Sequence, residues 1–246
     1  VLGLDRDDEA IAAARMRLSE YRDRLILRQA NFLDAKEILA ELGWHQVDGM
    51  VLDLGVSSHQ IDSPERGFSF QFDSRLDMRM DRRQSLDAFE IVNRFPAAEI
   101  EKILKDYGEE PRAGRIAAAI AAERKSQTIE TTGRLAEIVA RVKGKRERLN
   151  PATQTFQALR IAVNREIENL QQFLQNGYEL LRPEGRLVII SFHSLEDRLV
   201  KTAVRKWSRS CLCPPHAPQC RCGWSQKVKL LTKKPLVPSR GEVAAN

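Results

Sequence analysis

Cysteine is scarce in this chain of 246 residues: there are four, Cys211, Cys213, Cys220 and Cys222. Thiols confined to one short stretch cannot staple a fold of this length, so a disulfide-built secreted scaffold is excluded. Long apolar runs are missing too; none approaches the ~18 residues that a membrane span needs, and no membrane partner is expected. The opening Val1-Leu2-Gly3-Leu4-Asp5 has neither an initiator Met nor the basic and apolar regions of a signal peptide. A domain seldom begins inside a strand, so the sequence reads as a fragment missing its own N-terminus, with a cytoplasmic location as the default. Acidic residues are absent from 198–240, where eleven Lys or Arg occur. The other 203 residues hold 29 basic and 34 acidic side chains, so the overall +6 conceals a body at −5 joined to a strongly basic stretch. That asymmetry points to a polyanion such as nucleic acid.

What is present suffices for a core: 42% of residues are hydrophobic, which excludes intrinsic disorder. Val1–Leu4, Leu25–Leu27 and Val47–Leu54 read as buried strands. The spacing of Ile11, Ala14, Leu18 and Tyr21 predicts a helix after the first, and Ile38, Leu39 and Leu42 one after the second. Alternation at this spacing implies a parallel sheet with right-handed crossovers.

Residues 62–85 then carry charge, Pro and Gly with no sustained period and read as a loop leaving the sheet. Helices are predicted over 96–107, 114–125 and 132–142, the last capped by Thr131 or Thr132. Apolar residues at three- and four-residue spacing from Phe156 to Leu181 predict one long helix over 155–181, stopped by Pro183-Glu184-Gly185. Leu187–Ile190 brings the chain back to the sheet as a strand. Helical spacing resumes over 194–209, with Ser194 and Asp197 read as a shortened capping box. The fold class is therefore α/β, a sheet interrupted by a helical insertion: 1–65 and 161–246 form the sheet domain and 66–160 the insertion.

In open parallel sheets, ligands sit beyond the carboxyl ends of the strands. Asp5 ends the first strand; its carboxylate suits ribose hydroxyls, though Asp5, Asp7 or Asp8 equally suits a helix cap. Phe32 follows the second strand and either stacks on an adenine or packs into the core. Asp53-Leu54-Gly55-Val56-Ser57-Ser58-His59-Gln60 follows the third and forms a pocket floor or an ordinary loop. His193, after the last strand, is a catalytic or a structural imidazole. The Cys-x-Cys pairs have the wrong gap for common zinc motifs; zinc, reduced thiols and redox pairing all stay open, and metal is not the expectation.

These residues sit in longer blocks. Asp5-Arg6-Asp7, Leu52 to Ser58, Glu65 to Phe70, Leu76 to Met80, Tyr107-Gly108-Glu109-Glu110, Phe156 to Ile161 and Ile190 to Arg198 closely resemble the RsmH (MraW) family, over the span from residue 1 to about 198. The resemblance implies a Rossmann-like class I methyltransferase sheet with a helical insertion. It also implies S-adenosylmethionine as cofactor and, as activity, methylation of a cytosine N4 in the decoding region of 16S ribosomal RNA in the small subunit. By motif, Asp5 would hold the cofactor ribose, Phe32 would lie by its adenine, and Asp53 and Gln60 would contact the cofactor. Position at adjacent strand ends adds Ser57, Ser58 and His193 as lining of the base pocket and the catalytic candidates. The family's glycine-rich loop before the Asp5 strand, and its Asn-Pro-Arg-Ser C-terminus, are absent from this sequence. Two other readings are kept: a nicotinamide-dependent oxidoreductase, since Asp5 would serve ribose there too, and a non-catalytic RNA-binding module around a Cys-bound metal.

Overall fold

The computed structural model describes all residues except 145–149, 215, 216, 218, 233 and 246; Lys233 of the basic stretch therefore lies outside the described residues. Strand β1 (Leu2–Asp5) pairs in parallel with β2 (Ile26–Gln29), and β3 (Val47–Asp53) with β4 (Leu181–Ile190). Parallel neighbours need crossovers. Helix α1 (Asp8–Arg17) supplies the first, and α2 (Ala35–Glu41) leads from β2 to β3, as the alternation predicted, but the one sheet expected is two two-stranded ladders, with no pairing between β1 or β2 and β3 or β4 among the described residues. Met50 and Leu52 of β3 and Leu187 and Ile189 of β4 point into one core. The intervening Val51 and Val188 point the other way and are 68% and 50% exposed, as the two-residue period of a strand requires.

Strand β4 is longer than the predicted 187–190. Val47 lies opposite Leu181 but Gly49 opposite Arg186, so Pro183-Glu184-Gly185 is an irregularity inside the strand, with Glu184 at φ 66°. Proline cannot donate to a ladder and a left-handed residue cannot continue one, but pairing resumes on both sides.

Between β3 and β4 run α3 (Ser58–Asp62), α4 (Ala88–Arg94), α5 (Ala97–Gly108), α6 (Ala113–Ser126), α7 (Thr132–Lys143), α8 (Thr153–Asn164) and α9 (Glu166–Asn176); α10 (Ser194–Trp207) and α11 (Arg240–Ala245) follow β4. Helices α5, α6 and α7 fall within one residue of their predicted bounds, and Thr131 is the cap of α7, accepting the Arg134 N–H. The single helix predicted over 155–181 is two. Arg165, at φ 52°, breaks it between α8 and α9. Apolar spacing reports burial and not continuity: α8 packs Phe156, Leu159 and Val163 into one core, whereas α9 packs Leu170, Phe173 and Leu174 into another.

Those two cores organise the molecule. One, from Phe68 to Val163, is all helix and loop, with Leu104, Ile116, Ile120, Leu135 and Leu159 fully buried; the other lies under the strands and ends on Trp207. The aperiodic segment after residue 62 belongs to the first core, because Leu76 and Met78 are fully buried in it. Gly67 permits its first bend: it sits at φ +68°, and a Cβ there would collide with the Arg75 carbonyl.

Candidate active site at the strand ends

The turn after β1 is held by its own carboxylates. Asp5 Oδ1 accepts the Asp7 N–H at 2.8 Å, while Oδ2 has no hydrogen-bond partner among the described residues. Desolvation raises the Asp5 carboxyl above its ordinary range, against the lowering effect of the Asp7 N–H. Asp7, and not Asp8, caps α1 by accepting the Glu9 N–H.

Asp7 is also the centre of a buried knot. Arg66 Nη1 donates to Asp7 Oδ2 and to Glu9 Oε2, each at 2.7 Å, and Nη2 donates to the carbonyls of Arg79 and Met80. Gln60 Nε2 donates to the same Asp7 Oδ2 at 2.6 Å. The Gln60 carbonyl oxygen accepts the Ser57 N–H, and the Ser57 hydroxyl accepts the Gln60 N–H, so these two residues form the capping box of α3. Gln60 is thereby 4% exposed and occupied within the protein. Ser58 is exposed.

The loops after β3 and β4 meet. Asp53 is opposite Ile190, the Leu54 N–H donates to the Ile190 carbonyl, and Gly55, at φ +88°, lies under the Phe192 ring. Asp53 is exposed and its carboxylate has no partner among the described residues. Phe32 is half-buried and meets Phe173 edge-to-face at 5.7 Å, so it both joins the core under the strands and keeps part of its ring open.

His193, just past β4, has a side chain 11% exposed, and neither ring nitrogen has a hydrogen-bond partner. Its Nε2 lies 3.2 Å from Glu196 Oε1, close but not aligned for a hydrogen bond. One donor atom each of Glu166, His193 and Glu196 fall within 4.8 Å of one another. Arg160 grips Glu166 with two bonds of 2.9 and 3.0 Å. Burial nevertheless pushes the Glu166 carboxyl up. Burial also opposes the charge of Glu196, but the adjacent His193 and the Phe192 N–H, which it accepts at 2.9 Å, hold its carboxyl below the usual range. Glu196 therefore secures the start of α10. The capping box expected from Ser194 and Asp197 does not form: the helix begins at Ser194, too late for its hydroxyl to cap. That hydroxyl donates instead to Glu109 Oε2 at 2.8 Å.

Two bridges tie this rim to the helical core. Arg6 Nη1 donates to the Asn164 carbonyl at 2.6 Å and Nη2 to Gln84 Oε1 at 3.2 Å. Glu109, at the left-handed end of α5, accepts from Ser194 and from Arg198 at 3.0 Å. The rim thus brings together Asp5 with Gln60 through Asp7, and Asp53 with His193 through the β3–β4 loop contact. Reading strand ends missed Arg6, Asp7, Arg66, Glu109, Arg160, Glu166 and Glu196 as members; all but Glu166 lie in the sequence blocks quoted above, the only prior sign of them. A concavity of about 430 Å³ lined by Arg15, Leu18, Arg22 and Ile26 lies where β2 begins, at the opposite rim, away from every candidate residue.

The chain is 50% identical over 249 residues to a protein of Geobacter sp. (strain M21) named ribosomal RNA small subunit methyltransferase H, a match covering 100% of this chain and 80% of that one. Proteins of the same name from Syntrophus aciditrophicus (strain SB) and Thermomicrobium roseum are 48% and 50% identical, covering all of this chain and 79% and 76% of theirs. The family model described as the MraW methylase family matches residues 1–246. This sets aside the oxidoreductase and the non-catalytic readings: the chain belongs to the MraW methylase family.

Proposed function

We propose that this protein uses S-adenosylmethionine to methylate the exocyclic N4 of a cytosine in the decoding region of 16S ribosomal RNA, acting on the small ribosomal subunit in the cytoplasm. The observation that carries the reading is the rim itself: Asp5 ends β1 with only Oδ1 engaged, and the exposed Asp53 and the half-buried His193, its Nε2 3.2 Å from Glu196, stand at the ends of the paired strands β3 and β4. The relatives' printed names supply the RNA class.

The residues present fit an adenosine-bearing cofactor. Asp5 Oδ2 is free to accept ribose hydroxyls, Asp53 is a second open acceptor, and Phe32 offers a partly exposed ring for a base. Gln60 acts behind them, fixing Asp7 and hence the turn that presents Asp5. When bound, S-adenosylmethionine supplies an electrophilic methyl group. The chain's own task is to make a poor nucleophile adequate, because the N4 lone pair is delocalised into the cytosine ring. Alignment does part of this. Ser57, Ser58 and His193 line the pocket for a base drawn from its stack. His193 takes the proton that N4 loses, with Glu196 stabilising the resulting imidazolium at 3.2 Å. Residues 66–160 act as an inserted unit that positions the RNA, an arrangement supported by a separate helical core running from Phe68 to Val163. The basic stretch 198–240 holds phosphates.

The test is methylation of small subunits by the full-length protein with labelled cofactor, followed by nucleoside mass spectrometry. N4-methylcytidine is expected; label in another nucleoside, or none, overturns the reading. Alanine at His193, Ser57 or Ser58 that leaves the rate within about twofold of wild type removes that residue from the pocket.

A further inference from the structure

Beyond α10 the chain doubles back, and the four cysteines converge at the bend. Cys211 Sγ lies 3.4 Å from Cys220 Sγ and 3.6 Å from Cys222 Sγ; Cys220 and Cys222 are 3.6 Å apart, and Cys213 and Cys220 3.9 Å. All four sulfurs fall within 4.8 Å of one another. Four thiolates around one Zn²⁺ at ~2.3 Å define a tetrahedron with edges of ~3.8 Å. The observed separations bracket that edge. An iron–sulfur cage spreads its cysteine sulfurs wider than a single ion does, so the spacing favours one ion.

The backbone is arranged for thiolates. The N–H groups of Leu212, Cys213 and Arg221 point at Cys222, Cys211 and Cys213, each at 3.3 Å. Such donors stabilise charged sulfur and give little to a neutral thiol. Cys220 and Cys222 are exposed and Cys211 and Cys213 half-buried, so hydrophobic burial does not explain why four thiols gather. Four thiolates and a divalent cation leave a net −2, placed in the one segment of the chain that has eleven basic residues and no acidic one.

We propose that Cys211, Cys213, Cys220 and Cys222 bind one structural Zn²⁺ as a tetrathiolate. The ion holds the fold-back of the basic stretch onto α10. After the last cysteine, Trp224 Nε1 donates to the Arg209 carbonyl at 3.0 Å and the Lys227 N–H to the Trp207 carbonyl at 2.8 Å. Lys206 and Lys227 then lie 5.5 and 5.4 Å from the Trp224 ring centre. The two Cys-x-Cys pairs are the clasp of this hairpin, and the one-residue gap that weighed against a metal in the sequence is compatible with convergence once the chain reverses. The inference stands apart from the methyl-transfer reading, since a structural ion here would be present whatever the substrate.

The full chain, purified under reducing conditions and supplied with Zn²⁺, is analysed for bound metal. About one zinc per chain is expected, tight enough to survive desalting. Replacement by Co²⁺ is expected to give the visible ligand-field and thiolate charge-transfer bands of a tetrahedral sulfur site. The variant C211S/C222S is expected to keep less than about a tenth of the zinc. Chelation of the wild type is expected to open residues 208–228 to protease while α4–α9 stay protected. Wild type with less than about a tenth of an equivalent, a double variant that keeps its zinc, or chelation that leaves cleavage unchanged overturns the proposal. The cobalt spectrum of the wild type decides the matter even where the variant fails to fold.

Discussion

Arg66 Nη1 stands 2.7 Å from Asp7 Oδ2, and both side chains are 1% exposed. The pair joins the turn that presents Asp5 to the aperiodic segment covering the helical core, so it holds the two cores in one arrangement. The guanidinium also reaches Glu9 and two carbonyls, so four of its five N–H groups have partners, as a tolerated buried charge requires of most of its donors.

Removing one partner should therefore cost far more than the pair itself is worth. R66A leaves the Asp7 carboxylate buried without its cation, and a loss of about 3–5 kcal/mol in urea unfolding is expected. A loss below about 1 kcal/mol would show that water or rearrangement replaces the guanidinium easily. D7N keeps the shape but has one side-chain acceptor where Asp7 uses two, so it gives up either the Glu9 cap or the Gln60 and Arg66 contacts; with Arg66 still paired to Glu9 it should lose less than R66A.

Asp5 gives a pH signature. Its carboxyl is raised in the free protein by desolvation, while ribose hydroxyls donating to it would favour the charged form. Binding then releases a proton, and cofactor affinity should increase as pH climbs above 3.8 and through the raised pKa, then level off. The sign for stability is opposite: the folded chain holds this proton more tightly than the unfolded one, so Asp5's contribution is greatest in acid and declines as pH rises. Calorimetric titration across this range checks it. D5N should bind weakly with no such slope, and a pH-independent wild-type affinity would remove Asp5 from the ribose site.

How much of this was legible in the sequence follows from the range of the interactions. Strands and the helices α5, α6 and α7 were readable because local periodicity records which face is buried. Arg165 was not, since its left-handed turn changes the direction of the chain without disturbing the apolar spacing from Phe156 to Leu174. The short helix α4 was missed because seven residues hold too little periodicity, although Asp87 caps it by accepting the Glu90 N–H at 2.8 Å. The rule that strand ends face ligands singled out Asp5, Asp53 and His193 as candidates, and each does lie at or just past a strand end. It could not single out Arg66, Glu166 and Glu196, because a charged residue is read as surface until its partner, 59 residues away for Arg66 and Asp7, is brought beside it.

Gly67 tests the covering segment separately from its charges. At φ +68°, with the Arg75 carbonyl and Asp77 N–H where a β-carbon would stand, it has room for no side chain. G67A should destabilise by about 1–3 kcal/mol from backbone strain, with more from the collision. Thermal unfolding of G67A within about 0.5 kcal/mol of wild type would mean that the segment relaxes freely.

The basic stretch makes its prediction through salt. Arg205, Arg209 and Lys229 are exposed, and none has an acidic partner among the described residues. Their removal should leave folding nearly unchanged, as exposed substitutions away from special contacts do. If they neutralise phosphates, each releases condensed counterions on binding, and the slope of log affinity against log salt should fall by about 0.7–0.9 per lost contact. The triple variant R205A/R209A/K229A should thus bind small-subunit RNA more weakly at low salt, with a slope shallower by about 2 to 3. The comparable triple substitution of Arg15, Arg17 and Arg22, on the opposite rim, removes the same charge from the molecule and separates a local contact from a general field. Equal slopes for the two triples would show that net charge alone draws the RNA; a change confined to the first would place phosphates along α10 and the segment that folds back on it.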